Sequence, residues 1–254
     1  MQVARVTPAT VAIIDGTVCV GLEKEELDLV SSSKDIKKVS MRELGLATSL
    51  GWSGATTVSS TMHIAKRANI EVFATGGIGG VHRDVGQSFD ISQDLAALSR
   101  ISMVVVSAGA KSILDLPKTV ELLETLGVSM VGFKTSEFPS FYSRSSGIKR
   151  VTKVDSVKRV SEVFLNNCYL ETLGATLVLN PTPAESEIPI EIMDPIIHSA
   201  MAELNKRGIG GKMVTPFLLS YIHEKTEGKS LDANISLALN NVQLGAKIAK
   251  SLNA

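Results

Sequence analysis

The chain has 254 residues, 44% hydrophobic and 20% charged, enough apolar surface for one large α/β domain or two small ones. Lysine plus arginine equals aspartate plus glutamate at 26 each, so no net charge draws the chain to nucleic acid or an anionic membrane, although a local basic pocket for one phosphate is allowed. Two cysteines, Cys19 and Cys168, suggest neither a disulfide framework nor a CxxC site.

The same cysteine usage fits a reducing compartment. Met1–Arg5 do not open a signal peptide, and no apolar run is long enough to span a bilayer. The expectation is a cytoplasmic protein without membrane or nucleic-acid partners.

In chain order, Thr10–Ile14 reads as an apolar strand, Asp15-Gly16 as a hairpin turn and Val18–Val20 as the return. Leu22–Val30 reads as a helix. Ser40 suits the N-cap of a helix through Leu50, Gly51–Gly54 reads as a loop, and Thr57–Ala68 as the next helix. Glu71–Thr75 is a short strand running into Gly76-Gly77-Ile78-Gly79-Gly80. Ser92 can cap a helix over Asp94–Ser99, and Met103–Ser107 is a β-branched strand ending in Ala108-Gly109-Ala110-Lys111. Pro117 sits in the first turn of a helix that Gly127 ends, and Val128–Phe133 is another strand. Glu137–Asp155, rich in Ser, Lys and Arg, reads either as a mobile loop over a site or as a solvated connector. Ala175–Leu179 is a further strand, followed by helices over Glu191–Lys206, Pro216–Lys225 and Leu231–Leu252.

Strands alternating with helices predict a single α/β domain over residues 1–254, a three-layer α/β/α arrangement around a mostly parallel mixed sheet. In such sheets ligands bind beyond the carboxyl ends of the strands. The Gly-rich and polar segments Thr75–Gly80, Ser107–Lys111, Lys134–Ser136 and Asn180–Thr182 fall there.

Lys111 directly follows a buried strand. Low dielectric, a helix N-terminus or a second cation would disfavour its ammonium form, and a neutral amine can form a Schiff base. A surface lysine in a turn is the competing reading. A phosphate-loop motif would need glycine at Ala110 and Val105, and a dinucleotide fingerprint would need glycine at His82. Asp90 and Asp94 lie four residues apart. On a helix they would share a face, where a carboxylate completed by water and substrate suits manganese or magnesium; N-terminal capping is the preferred reading from the residues alone. His63, His198 and His223 show no zinc spacing.

Phe73-Ala74-Thr75-Gly76-Gly77-Ile78-Gly79-Gly80-Val81-His82-Arg83 resembles the signature of the pseudouridine-5'-phosphate glycosidases, also called the indigoidine synthase A family. So do Phe89-Asp90-Ile91-Ser92-Gln93-Asp94-Leu95 and Ser107-Ala108-Gly109-Ala110-Lys111-Ser112-Ile113-Leu114-Asp115. Gly54-Ala55-Thr56-Thr57-Val58, Asn180-Pro181 and Thr215-Pro216-Phe217-Leu218-Leu219 add to the match, which runs from about Pro8 to the C-terminus.

The resemblance implies reversible cleavage of the C–C glycosidic bond of pseudouridine 5'-phosphate to uracil and ribose 5-phosphate. It also implies one divalent ion per subunit, usually manganese, and a homotrimer. By the same resemblance, Lys111 matches the nucleophile that forms an imine with the opened sugar, and Asp90 matches the metal ligand. Ser92, Gln93 and Asp94 match a substrate-binding segment. Lys38 matches a phosphate-side cation and Val58 a further contact, while Thr75, His82 and Asn234 line the site. Family members begin with a segment bearing a Glu, the expected proton donor, and nothing before Pro8 can supply it here. The chain therefore reads as N-terminally truncated. Two expectations follow: a working glycosidase, or a noncatalytic member that keeps ligand binding or oligomerisation.

Overall fold

The computed structural model describes residues 6–253, the Lys212 side chain excepted. The absence of a leader pattern in Met1–Arg5, and part of the segment before Pro8, fall outside the described residues.

The N-terminal part builds a small mixed sheet. β1 (Val11–Ile14) and β2 (Thr17–Val20) form a hairpin whose turn residues, Asp15 and Gly16, both have positive φ, 47° and 78°. That is the geometry that matches strand twist and favours an Asp-Gly pair. After α1 (Lys24–Ser32) come β3 (Lys37–Val39), a 3₁₀ turn over Met41–Glu43, α2 (Leu44–Ser49) and β4 (Gly54–Thr56). The strand order is β2-β1-β4-β3, with β3 and β4 parallel and β1 antiparallel to both neighbours. α3 (Val58–Arg67) starts directly after β4.

The larger sheet is wholly parallel, in the order β5-β6-β9-β7-β8. Its strands are β5 (Val72–Ala74), β6 (Val104–Ser107), β7 (Ser129–Phe133), β8 (Thr152–Val154) and β9 (Thr176–Leu179). Between and after them lie α4 (Val85–Ser88), α5 (Gln93–Leu98), α6 (Leu116–Thr125), α7 (Val157–Tyr169), α8 (Ile190–Lys206), α9 (Val214–Lys225) and α10 (Lys229–Leu252).

Both sheet faces are covered, and the strand period sorts side chains between two cores. Val105, Leu177 and Leu179 face α3, α5, α6, α8 and α9. Val104, Val106 and Val178 face Val160 and Phe164 of α7 and Leu244 and Ile248 of α10. Val104, Val105 and Val106 have no solvent exposure, and each contributes about 1.5–3 kcal/mol of burial. A continuous apolar run of this kind is what a parallel strand covered on both faces requires.

The three-layer α/β class stands, with one refinement: the strands divide between two sheets instead of sharing one. β3, β4 and β8 are three-residue strands, too short to show a period, and β4 occupies part of the expected Gly51–Gly54 loop. α7 is an element the sequence reading passes over, although Ser156 caps it by accepting from the Arg159 amide. The Glu137–Asp155 segment is neither a mobile loop nor a solvated connector throughout. Phe138, Phe141 and Tyr142 are buried, and the segment ends in β8.

Candidate active site

A cavity of about 1110 Å³ opens where the carboxyl ends of β3 and β4 meet those of β5 and β6. Strand pairing continues past β5 and β6 and fixes the cavity wall. Thr75 donates to the Val106 carbonyl, Ala108 to Gly76, Ile78 to Gly109, and Lys111 to Ile78, all at 2.9–3.1 Å. The backbone of Lys111 is thus tied to the glycine loop. Arg83 secures the turn that follows, donating to the carbonyls of Ser112 at 3.1 Å and Ile113 at 3.3 Å. Behind this wall, Asn241 of α10 is fully buried and joins two strand ends. Its amide donates to the Thr75 carbonyl at 2.8 Å, and its oxygen accepts from Asn180 at 2.9 Å.

Lys111 lines the cavity, and burial holds its amine below the ordinary lysine value of 10.5. The charge of Asp94 opposes that shift, and Lys38 reinforces it. The residue is half-buried in the cavity wall, which weighs against the competing reading of a lysine on an open turn.

Asp94 is buried, and each of its oxygens takes one backbone amide: Ser59 at 2.9 Å and Gly79 at 2.9 Å. It therefore caps the start of α3 from a different helix and pins the glycine loop to it. Ser92 is the cap of α5, accepting from the Asp94 amide at 3.2 Å. Asp90 precedes α5, so it shares no helix face with Asp94. Its carboxylate is 45% exposed and lies 3.8 Å from the His82 ring, beyond hydrogen-bond reach. Gln93 accepts from the Arg42 amide at 3.2 Å, which couples α5 to the opposite rim.

Lys38, Val58, Thr75, His82, Asp90, Ser92, Gln93, Asp94, Lys111 and Asn234 all line this one cavity. Lys38 is exposed on β3, Val58 begins α3, and Asn234 reaches in from α10. The sequence reading missed Arg42, Glu43, Ser59 and Phe141, which line the cavity as well. Glu43 is buried and bonded to Ser40 and to Arg42, the latter at 2.8 Å. The Ser-x-x-Glu spacing of a capping box was the available signal for that cluster.

Among the described residues no three His, Cys, Asp or Glu side chains gather as a metal cage, and no helix is long and apolar enough to cross a membrane. A half-exposed lone carboxylate such as Asp90 fits a hard ion whose other ligands are water and substrate oxygens.

The family model for indigoidine synthase A like proteins matches residues 1–251. A Staphylococcus aureus relative named pseudouridine-5'-phosphate glycosidase is 48% identical over 246 residues, covering 97% of this chain and 80% of its own. A Petrotoga mobilis relative of the same name is 49% identical with the same coverage. Among solved structures, the prealnumycin C-glycosynthase AlnA in complex with ribulose 5-phosphate superposes with a TM-score of 0.92 at 35% identity, covering 99% of this chain and 83% of its own. An indigoidine synthase A-like protein from Thermotoga maritima gives 0.89 at 40% identity, covering 97% and 81%.

Proposed function

The chain belongs to the indigoidine synthase A-like family of pseudouridine-5'-phosphate glycosidases, and from that membership we propose that it interconverts pseudouridine 5'-phosphate and water with uracil and ribose 5-phosphate. The observation that carries the reading is the half-buried Lys111, lining the same cavity as the other expected site residues, with burial holding its amine below the ordinary lysine value. In the synthetic direction the neutral amine adds to the aldehyde carbon of ring-opened ribose 5-phosphate. Loss of one water leaves a protonated imine. The C5 carbon of uracil attacks that carbon, forming the C–C bond while the C=N electron pair moves to nitrogen, and the C5 proton is then lost to water so that the uracil ring is restored. Ring closure by the sugar 4-hydroxyl then releases the lysine. Cleavage is the reverse.

Lys38, exposed at the cavity wall, would hold the 5-phosphate as a point charge. Asp90 would hold the manganese ion, which supplies a water of lowered pKa. His82, beside Asp90, would orient that carboxylate or donate to substrate. Ser92, Gln93, Thr75, Val58 and Asn234 would contact substrate from the other walls. The family likeness extends the proposal to a homotrimer, tested by the mass in solution.

One observation favours a second reading, a noncatalytic member that retains binding. Asp94 is held by two amides and Glu43 by Ser40 and Arg42, and Asp90 is the carboxylate given to the metal, so among the described residues no further cavity carboxylate is available to protonate the sugar ring oxygen. Incubation with uracil, ribose 5-phosphate and manganese decides between the two. Formation of pseudouridine 5'-phosphate supports the enzyme. Ribose 5-phosphate binding with no product after long incubation would establish the noncatalytic reading.

A further inference from the structure

Phe141 has a left-handed backbone, with φ of 60°. That region is costly for a large aromatic side chain and persists only where the surroundings over-determine it, most often at functional sites. Here the surroundings do so. Its amide donates to the Ala108 carbonyl at 3.1 Å, and its ring is 4% exposed at the cavity floor. The ring lies directly on the glycine loop. A Cβ added at Gly77 would stand 2.6 Å from two ring carbons and 3.1 Å from the Gly109 carbonyl, so glycine is required for this close approach.

The strap that carries Phe141 is anchored at several points. Ser140 bridges to Gly109, and the Ser143 hydroxyl donates to the Ile188 carbonyl at 2.7 Å. Ile188 in turn donates to the Tyr142 carbonyl at 3.0 Å, and the Tyr142 ring packs edge-on to Phe141 with centroids 4.7 Å apart. The strap meets the chain just past β6 at Ala108 and Gly109, three and two residues before Lys111.

We propose that Phe141 is a positioning residue, whose ring wedges the glycine loop against the β6 tip and thereby sets where Lys111 presents its amine. This rests on the reading of Lys111 as the imine-forming residue. Phe141 is nearly fully buried and lines the same cavity as Lys111, so truncating it would open that cavity to water. The charges that act on Lys111 are those of Asp94 on α5 and Lys38 on β3, and His82, Asp90, Arg42 and Glu43 line the same cavity. None of these is altered by a change at Phe141.

The test compares Phe141→Ala, Phe141→Leu, Gly77→Ala and the double variant Gly77→Ala/Phe141→Ala. It reads kcat and KM against pH, thermal melting, and borohydride trapping of ribose 5-phosphate. Phe141→Ala is expected to lower kcat about 10²-fold, with KM for ribose 5-phosphate changed by less than about threefold, because a small misplacement of a nucleophile acts on the chemical step. Its acid limb should move to higher pH as water reaches the amine. Phe141→Leu should retain most activity. Gly77→Ala should be nearly inactive, and the double variant should regain at least about tenfold, since the new methyl occupies the vacated ring space. A folded Phe141→Ala with wild-type kcat and an unmoved acid limb overturns the proposal. Should that variant fail to fold, a folded Gly77→Ala with wild-type kcat and an unmoved acid limb would overturn it instead. Absence of any Lys111 adduct in the wild type removes the underlying reading and the proposal with it. An adduct in the wild type that forms undiminished in Phe141→Ala overturns the positioning alone.

Discussion

Two lysines enter the same cavity from different sheets, and their surroundings differ. Lys111 sits at the end of β6, whose three valines have no solvent exposure, and its backbone is bonded to the glycine loop. Lys38 sits on β3, a three-residue strand of the small sheet, and its side chain is exposed. Burial depresses the Lys111 amine, and the charge of Lys38 adds to that depression. A partly neutral amine suits attack on a carbonyl, whereas a hydrated ammonium suits a phosphate. Residue type alone does not separate the two roles proposed for these lysines; the difference in their burial does.

Breaking the comparison at its buried end gives the largest effect. Lys111→Ala should lower kcat by about 10⁴-fold and abolish the trapped sugar adduct, read by turnover and mass spectrometry. A kcat within tenfold of wild type would place the nucleophile elsewhere.

Asp90→Ala should cost about 10²-fold and remove the manganese response. An unchanged manganese titration would move the ligand assignment.

Asp94→Asn sharpens the contrast without touching either lysine. It replaces one amide-accepting oxygen with a donor and should destabilise the fold by about 2 kcal/mol in chemical denaturation. The sign of its pH effect is fixed. Asp94 raises the Lys111 pKa, so its removal lowers that pKa further and shifts the acid limb of kcat to lower pH. A shift to higher pH would contradict the electrostatic account.

At the exposed end, Lys38→Ala should raise KM for ribose 5-phosphate about tenfold, with the difference shrinking as salt is added, and should move the acid limb of kcat to slightly higher pH, because the Lys38 charge lowers the Lys111 pKa. The smallest effect is on stability. A folded-state lysine pKa held below 10.5 means that burying the charged form is unfavourable at pH values below the folded pKa. Lys111→Met should therefore stabilise the fold by about 1 kcal/mol near neutral pH. That gain should fade as pH rises toward 10.5, followed by thermal melting across a pH series.

The parts of this architecture visible in the sequence are those where burial imposes a pattern. β6 and β9 carry the apolar runs Val104-Val105-Val106 and Leu177-Val178-Leu179, covered on both faces, and both stand out. β3, β4 and β8 offer three residues each, and their pairing is decided by partners distant in the chain. The Glu137–Asp155 segment misleads because its Ser, Lys and Arg content masks Phe138, Phe141 and Tyr142, whose burial depends on the glycine loop and the β6 tip. In the site, the strand-end rule locates Lys111 and Thr75, and the motif resemblance supplies Lys38, Val58 and Asn234 from elements a single pattern does not connect. What neither conveys is the wiring: Asp94 capping a helix other than its own, and Asn241 bridging two strand ends. Those bonds join residues 35, 61 and 166 positions apart, beyond any local periodicity.

Borohydride reduction of the protein with ribose 5-phosphate, followed by peptide mapping, addresses the buried amine most directly. A single reduced sugar adduct on Lys111, forming more readily as pH rises toward 10.5, is the expected result. An adduct on Lys38 or on any other lysine, or no adduct at any pH, would contradict it.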